Sequence, residues 1–259
     1  MTTDALRPGQ QYRPATERTD RWWVEPLISG LVLAAFGLYA TWAAVFGTTG
    51  YYAAPYLSPF YSPCLAVTCE HVTLPIFGAW WALSPAILIL WVPLGFRTTC
   101  YYYRKAYYRA FFWSPPACAV PDVGKRYTGE TRFPFILQNL HRYFFWLSIP
   151  ILVFLWVDVL MAFNFGGRFG IGLGTIVLAA NTTLLTLYTA SCHAGRHLCG
   201  GGLKRFSSAP VRFSLWKVVS RLNERHMQIA WVSLVGVALT DVYVRLVAAG
   251  AIADPRLVF

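Results

Sequence analysis

The sequence predicts an all-α integral membrane protein, a bundle of five transmembrane helices. Composition, five apolar stretches and an uneven distribution of basic residues support this. Hydrophobic residues make up 56% of the 259 residues and charged residues only 13%, and the chain contains 11 Trp. Such a composition is typical of membrane proteins rather than of soluble domains.

Each of the five stretches offers the roughly 20 apolar residues that a helix needs to cross a bilayer. They lie near residues 26–47, 75–96, 136–163, 170–190 and 227–249. The second contains Pro85 and Pro93, so we expect a kinked helix there, which membrane helices tolerate. Residues 1–25 are polar and lack the apolar segment of a signal peptide, and residues 250–259 form a short tail. We see no internal repeat and no low-complexity segment.

Lys and Arg residues are distributed unevenly between the two sides of this bundle. If the N-terminus is cytoplasmic, all but three of the 22 Lys and Arg residues fall on the cytoplasmic side. The exceptions are Arg168, Arg245 and Arg256. Because cytoplasmic loops carry an excess of Lys and Arg, this predicts a cytoplasmic N-terminus and an extracytoplasmic C-terminus. The net charge of +11 then reflects membrane orientation rather than nucleic-acid binding.

Two long cytoplasmic connections, 97–135 and 194–226, are both basic and aromatic. The first predicts a helical extension that ends at the break Ser114-Pro115-Pro116. The second predicts an amphipathic helix along the membrane surface. Contacts with lipid headgroups explain single aromatic residues, whereas the two connections together suit a docking platform for an acidic soluble partner.

Cys and His residues gather at the cytoplasmic ends of the predicted helices. The segment SCHAGRHLCGG carries four of them, and four more lie at or near neighbouring helix ends: Cys192, His193, His197, Cys199, Cys100, Cys118, His141 and His226. Ligand-type residues are costly at a membrane helix end, so they predict a functional site. Two thiolates with two imidazoles suit a Rieske-type [2Fe–2S] centre or tetrahedral zinc. Two facing His residues would instead suit haem b. The outer half of the bundle has no intramembrane His, so there would be at most one haem, on the cytoplasmic side.

The extracytoplasmic side carries other candidates. Cys64 and Cys69 predict a disulfide, with a metal site including His71 as the alternative. Asp241 and Arg245, spaced i, i+4, predict an ion pair, and together with Asp158 they allow a proton route from outside. The sequence contains no dinucleotide fingerprint, no Walker loop and no nucleophile triad, so we expect no catalytic domain within this chain.

Four long and unusual motifs carry a resemblance to a known family: FRTTCYYYRKAYYRAFFWSPPACAV, QNLHRYFFW, SCHAGRHLCGG and NERHMQIAW. With five spans and a cytoplasmic N-terminus, the chain resembles the single-chain SdhC-type membrane anchors of succinate dehydrogenase and fumarate reductase, the respiratory complex II. It is most similar to the kind that lacks the usual haem pair. The resemblance extends from about residue 21 to about residue 245.

The resemblance implies an anchor in the bacterial cytoplasmic membrane that binds the flavoprotein and iron–sulfur subunits. Such an anchor passes electrons from the tricarboxylic acid cycle into the respiratory chain by way of a membrane quinone. The haem-poor type implies a Rieske-like [2Fe–2S] cluster. The predicted ligands are Cys100, Cys118, His193 and His226, with Cys192, His141 and His197 as further candidates.

A quinone slot at the inner interface is predicted from Trp23, Arg142 and Tyr143. Two alternatives to the complex II anchor stay open. One is a haem b-containing anchor of another respiratory oxidoreductase. The other is a transporter that uses the outer Asp and Arg residues, which would require broken helices around a polar midplane site.

Overall fold

A computed structural model describes residues 16–64, 69–122 and 130–259. Its helices, in chain order, are α1 Val24–Thr41, α2 Ile87–Thr99, α3 Tyr101–Tyr107, α4 His141–Met161, α5 Leu173–Ser191, α6 His193–Gly200, α7 Pro210–Glu224 and α8 His226–Ala248. Single π-helical turns, Trp42–Phe46 and Tyr108–Phe112, extend α1 and α3, and a 3₁₀ segment, Phe135–Leu140, leads into α4.

Within the described residues, four helical segments are long and apolar enough to cross a membrane: Val24–Phe46, Phe135–Met161, Leu173–Ser191 and His226–Ala248. They coincide with the first, third, fourth and fifth predicted spans to within three residues. The prediction of a helical membrane protein is therefore confirmed. The cause is local, since an uninterrupted apolar stretch in a bilayer satisfies its backbone groups only as a helix.

The second predicted span is shorter in the structure than the sequence indicates. Its helix, α2, contains only 13 residues, which gives roughly 20 Å of the roughly 30 Å that a bilayer core requires. Residues 75–86 form a 3₁₀ turn and strand Ala82–Leu83, which pairs with Val72–Thr73. Pro85 precedes the helix and only Pro93 lies within it. An apolar count cannot detect this pairing, because the partner strand lies outside the counted stretch.

Helix α5 lies at the centre of the bundle and packs against α8 and α4, while α2 packs against α4 and α1 against α3. The buried face of α5 carries small and polar residues, among them Thr175, Asn181 and Thr182. Small residues allow close approach of helices in a membrane, and hydroxyls bond back to the preceding turn. One hydrophobic core cluster, around Phe96 and Tyr188, lies where α2 and α5 end.

Short antiparallel hairpins in the connections modify the all-α prediction. The strands are β1 Tyr52–Ala53, β2 Tyr56–Leu57, β3 Val72–Thr73, β4 Ala82–Leu83, β5 Asn164–Phe165, β6 Arg168–Gly172 and β7 Arg256–Val258. They pair as β1–β2, β3–β4 and β5–β6–β7. Cys64 and Cys69 form a disulfide in the connection between β2 and β3, as predicted. The alternative partner for a metal site, His71, contacts the Tyr61 hydroxyl at 2.9 Å.

Asp254 attaches the C-terminal tail to the bundle. Its carboxylate accepts hydrogen bonds of 2.7 Å from Tyr56, 2.7 Å from Tyr243 and 2.9 Å from the Gly174 amide at the start of α5. Partial burial acts to raise the pKa of Asp254, but these hydrogen bonds outweigh it and place the pKa below its usual value. The ionised carboxylate therefore holds the tail against α5.

We expect Asp254→Ala to accelerate hydrogen exchange at the amides of Leu173 and Gly174 by about tenfold at pH 7, since a charge-assisted hydrogen bond is lost. Because the folded pKa is lowered, wild-type protection is complete above the unfolded pKa of about 3.9 and disappears as the pH falls through the lower folded value. Exchange corrected for intrinsic rates tests both statements. Arg168→Ala, at the exposed first residue of β6, is the control. Equal exchange in Asp254→Ala and wild type would contradict the attachment.

Candidate metal centre

Two cysteines lie at breaks between helices. Cys100 separates α2 from α3, and Cys192 separates α5 from α6. Both adopt extended backbone conformations, with ψ angles of 130° and 150°. Each break ends one helix, begins the next and leaves a thiol at the junction. Both cysteines are only 2% exposed, and both belong to the core cluster with Phe96 and Tyr188.

Each thiol contacts an imidazole at the start of another helix. Cys192 Sγ lies 2.9 Å from Nε2 of His141, the first residue of α4. Cys100 Sγ lies 3.4 Å from Nε2 of His226, the first residue of α8. Four helix ends therefore converge on two Cys–His pairs.

Hydroxyl groups on α2 and α5 determine which nitrogen of each imidazole faces its thiol. Thr99 Oγ1 donates its proton to the Gly95 carbonyl at 2.7 Å and lies 2.9 Å from His141 Nδ1. Since its proton is already donated, this hydroxyl accepts a hydrogen bond from Nδ1–H. The Nε2 lone pair of His141 then points at Cys192.

Ser191 repeats this arrangement at the end of α5. Its Oγ donates to the Tyr188 carbonyl at 3.0 Å and lies 2.7 Å from His226 Nδ1. His226 therefore directs its Nε2 lone pair at Cys100. Both imidazoles have the tautomer in which histidine binds a metal, with the other ring nitrogen held by a supporting hydrogen bond.

Aromatic rings fix the planes of the two imidazoles. Phe96 stacks on His141 with ring centroids 4.9 Å apart, and Tyr188 stacks on His226 at 5.2 Å. The two aromatic rings contact each other at 5.4 Å. This layer excludes solvent and separates the two pairs from the middle of the bundle.

The two halves of the site share a nine-residue pattern of residue types, a local repeat of side-chain chemistry rather than of whole structural units. Residues 96–104 read FRTTCYYYR and residues 188–196 read YTASCHAGR. Each contains an aromatic residue four positions before the Cys, a hydroxyl residue one before it and an Arg four after it. The repeat is short and its spacers differ, which hides it in the sequence. This pattern could have identified four further site residues: Thr99, Ser191, Phe96 and Tyr188. None of them was predicted from the sequence.

Positive charge and backbone amides surround the thiols. Half-buried Arg97 lies 4.7 Å above the Tyr188 ring and donates to Ser233 Oγ at 3.2 Å. In the part of the chain that the structure describes, Arg97 forms no ion pair. Burial raises the pKa of the Cys192 thiol to about 12, while hydrogen bonds from the first amides of α6 act in the opposite direction. A free thiol is thus protonated here, and metal binding would supply the missing stabilisation of the thiolate.

Several predicted ligands lie elsewhere. Cys118 is exposed, with its sulfur 3.8 Å from Arg109 Nη2. His193 and His197 are both exposed on α6. Of the four residues predicted as ligands, the structure brings together only Cys100 and His226, and it completes the group with Cys192 and His141. Neighbouring residues 192 and 193 separate because the break at Cys192 directs its side chain inward and the next one outward.

The predicted quinone residues are all exposed, Trp23 in the turn before α1 and Arg142 and Tyr143 on α4. We find no hydrogen bond or ring contact between Trp23 and the other two within the described ranges. A cavity of about 50 Å³ lies between α2, α4 and α5, beside Phe96 and Tyr188, and another of about 30 Å³ lies near Glu25. Both are far below the 300 Å³ or more of typical ligand pockets, so neither accommodates a quinone ring.

The donor set of the site fits a metal–sulfur centre. Two buried thiols and two imidazoles with free Nε2 lone pairs are the ligands of a Rieske-type [2Fe–2S] cluster. Among residues 16–64, 69–122 and 130–259, no three His, Cys, Asp or Glu side chains are grouped so as to hold one metal ion. The site in this part of the chain thus consists of two separate Cys–His contacts.

Fold and site together define a class: a helical, multi-span membrane subunit with buried ligand-type residues where its helices end and no separate catalytic domain. Within that class, the family model of the actinobacterial succinate dehydrogenase subunit SdhC matches residues 24–250. The chain belongs to this family. The fold is similar to a chain of the Mycobacterium smegmatis Sdh1 complex in the apo form, with 48% identity, a TM-score of 0.86 and 98% coverage of both chains. No curated protein matches the sequence.

Membership identifies the chain as a membrane-anchor subunit of succinate dehydrogenase, part of a complex II enzyme. It is a multi-pass protein of the bacterial plasma membrane, and its partners are the other subunits of that enzyme. The predictions of enzyme class, partners and location are thereby confirmed.

Proposed function

We propose that this anchor passes electrons from the rest of succinate dehydrogenase to a membrane quinone through a Rieske-type [2Fe–2S] cluster. The proposed ligands are Cys100, Cys192, His141 and His226. The observation that carries the proposal is the pair of hydroxyls, Thr99 and Ser191, that hold both imidazoles with Nε2 toward a buried thiol. A merely structural His–Cys contact has no need of two such matched supports.

A cluster bound there would accept and release one electron at a time. The chain contributes rigidity and electrostatics to that exchange. Phe96 and Tyr188 hold the imidazole planes, and Arg97, on the Tyr188 ring, favours negative charge at the site. Rigid support and a low solvent content reduce the rearrangement that a change of charge requires.

Membrane orientation forms part of the proposal. We place the N-terminus and helices α3, α6 and α7 on the cytoplasmic side, because almost all Lys and Arg residues lie there. A fifth crossing then consists of α2 together with the segment from Pro75 onward. The flavoprotein and iron–sulfur subunits bind at the cytoplasmic end, where α3 and its π-helical turn expose Tyr101, Phe111, Phe112 and Trp113. Exposed aromatic residues beside Arg are typical of protein interfaces.

Low-temperature EPR of the purified complex, in oxidised and reduced forms, tests the proposal. We expect a reduced-state signal of Rieske type in addition to the clusters of the partner subunit. Loss of this signal in a His141→Ala, His226→Ala double variant would assign it to this chain. A low-spin ferric haem signal in the oxidised form would support the haem b alternative and overturn the cluster. A double variant with unchanged spectra would also overturn it.

Quinone reduction is proposed at the cytoplasmic membrane interface, near Trp23, Arg142 and Tyr143. Neither of the two cavities near these helices holds a quinone ring, and we propose that another subunit completes the slot. We expect Arg142→Leu to lower quinone reduction at least about tenfold, because a hydrogen-bond donor to the quinone oxygen is lost. Succinate oxidation with an artificial acceptor should stay unchanged. Arg221→Leu, on α7, is the control, and normal quinone turnover in Arg142→Leu would exclude this location.

A further inference from the structure

Helix α7 is held against the rest of the chain by one face. Arg212 donates to the carbonyls of Leu198 and Cys199 at 3.3 and 3.0 Å, and Ser220 accepts from Arg196 at 3.0 Å. Asn223 Nδ2 donates to the Ser191 carbonyl at 2.7 Å. These contacts determine the rotation of α7 about its own axis.

The opposite face of α7 is aliphatic and uncovered in the described structure. Val211, Leu215 and Val218 are 72%, 53% and 56% exposed. Their spacing of i, i+4 and i+7 places them on one stripe. Both aromatic residues of α7, Phe213 and Trp216, lie on the other side, stacked on each other with ring centroids 6.1 Å apart.

The depth of α7 relative to the spans is defined at its C-terminal end. Asn223 binds the carbonyl of Ser191, the last residue of the α5 span. Only Arg225 separates α7 from the α8 span, which begins at His226. The C-terminal end of α7 therefore lies at the level where two membrane spans end.

Charge and residue type identify what covers the stripe. Arg221, on α7, and Arg225, directly after it, lie beside this stripe. The Lys217 amine instead lies 4.9 Å above the Phe213 ring, on the side that also carries Glu224, the one acidic residue of α7. Basic residues bordering an aliphatic face are the signature of a helix in the interface of an anionic membrane. The core of a protein interface is instead enriched in aromatic residues, which α7 turns inward.

We infer that α7 lies in the cytoplasmic leaflet, with Val211, Leu215 and Val218 among acyl chains and with Arg221 and Arg225 at the phosphates of anionic phospholipids. This surface would contact lipid rather than a subunit of the enzyme. The inference needs the orientation proposed above but not the cluster. It gives α7 the role of a surface anchor that presses α6 and Asn223 against the end of α5.

Photo-crosslinking in the assembled complex tests the inference. Benzoylphenylalanine replaces Leu215 in membranes that contain all subunits, and the irradiated chain is analysed by intact mass spectrometry. We expect an adduct with the mass of a phospholipid. Glu224, exposed on the other side of α7, is the negative control position, and Leu239, exposed in the middle of α8, is the positive control.

Two results would overturn the inference. One is a cross-link from position 215 to another succinate dehydrogenase subunit, which would make α7 a docking surface. The other is the absence of a lipid adduct at 215 while position 239 gives one. Succinate oxidation with an artificial acceptor verifies that each substituted complex is assembled.

The basic residues beside the stripe are tested by the lipid composition of the adduct. In vesicles of equal phosphatidylglycerol and phosphatidylcholine, we expect the adduct at position 215 to favour phosphatidylglycerol by on the order of fivefold for each basic residue at the surface. Arg221→Gln with Arg225→Gln should remove most of this preference. If the chain with its basic residues intact formed equal amounts of adduct with both lipids, α7 would lie in the leaflet without selecting anionic lipid. This part of the inference would then fail.

Discussion

Cys192→Ser is expected to remove the proposed Rieske-type EPR signal of the reduced complex and to stop quinone reduction, because a neutral hydroxyl would replace a proposed thiolate ligand. Cys192 is buried 2.9 Å from His141 Nε2 and lies one residue after the hydroxyl that orients His226. No other thiol of the described chain faces His141. Succinate oxidation with an artificial acceptor should continue, since that activity belongs to the partner subunits.

Cys118→Ser is the matched control. From the sequence alone, Cys118 was predicted as a ligand and Cys192 only as a further candidate. Cys118 is exposed and contacts Arg109 rather than an imidazole. We expect its signal and its quinone activity to equal those of the wild type. A lost signal in Cys118→Ser with a normal one in Cys192→Ser would contradict the ligand set proposed from the structure.

Asp241→Ala is expected to destabilise the bundle by about 3–5 kcal/mol, the cost of leaving one partner of a buried ion pair alone. The Asp241 side chain is 0% exposed and accepts a hydrogen bond from Arg245 Nε at 2.9 Å, as well as bonds from Tyr39 and Ser58. Arg245 also donates to the Thr49 carbonyl at 2.7 Å. One carboxylate thus connects α1, the first hairpin region and α8, and the predicted ion pair is confirmed.

The midpoint of thermal inactivation of the assembled complex measures this loss. Arg168→Ala removes an exposed charge from the same side of the bundle and should leave the midpoint unchanged. A stability of Asp241→Ala within about 1 kcal/mol of wild type would show that the network is peripheral. Retained quinone activity at low temperature would favour an ion pair over a proton route.

Much of the fold could be predicted because the signals are local. Four spans, the helical extension after Cys100 and the amphipathic helix α7 all follow from runs of apolar residues, their periodicity and their proline breaks. The second span was overestimated for a non-local reason. Hairpin β3–β4 takes up apolar residues that would otherwise have lengthened α2.

The sequence by itself determined the class of protein, the approximate spans and the kinds of ligand at the helix ends, because hydrophobicity and charge act within a few neighbouring residues. Only the tertiary structure decided which ligands meet. Cys192 and His193 are adjacent in the chain, yet one is buried and the other exposed. That difference depends on the angle at which α5 stops and α6 begins and on how α4 and α8 pack beside them. Contacts between residues 35 or more positions apart, such as Ser191 with His226, arise only from that packing.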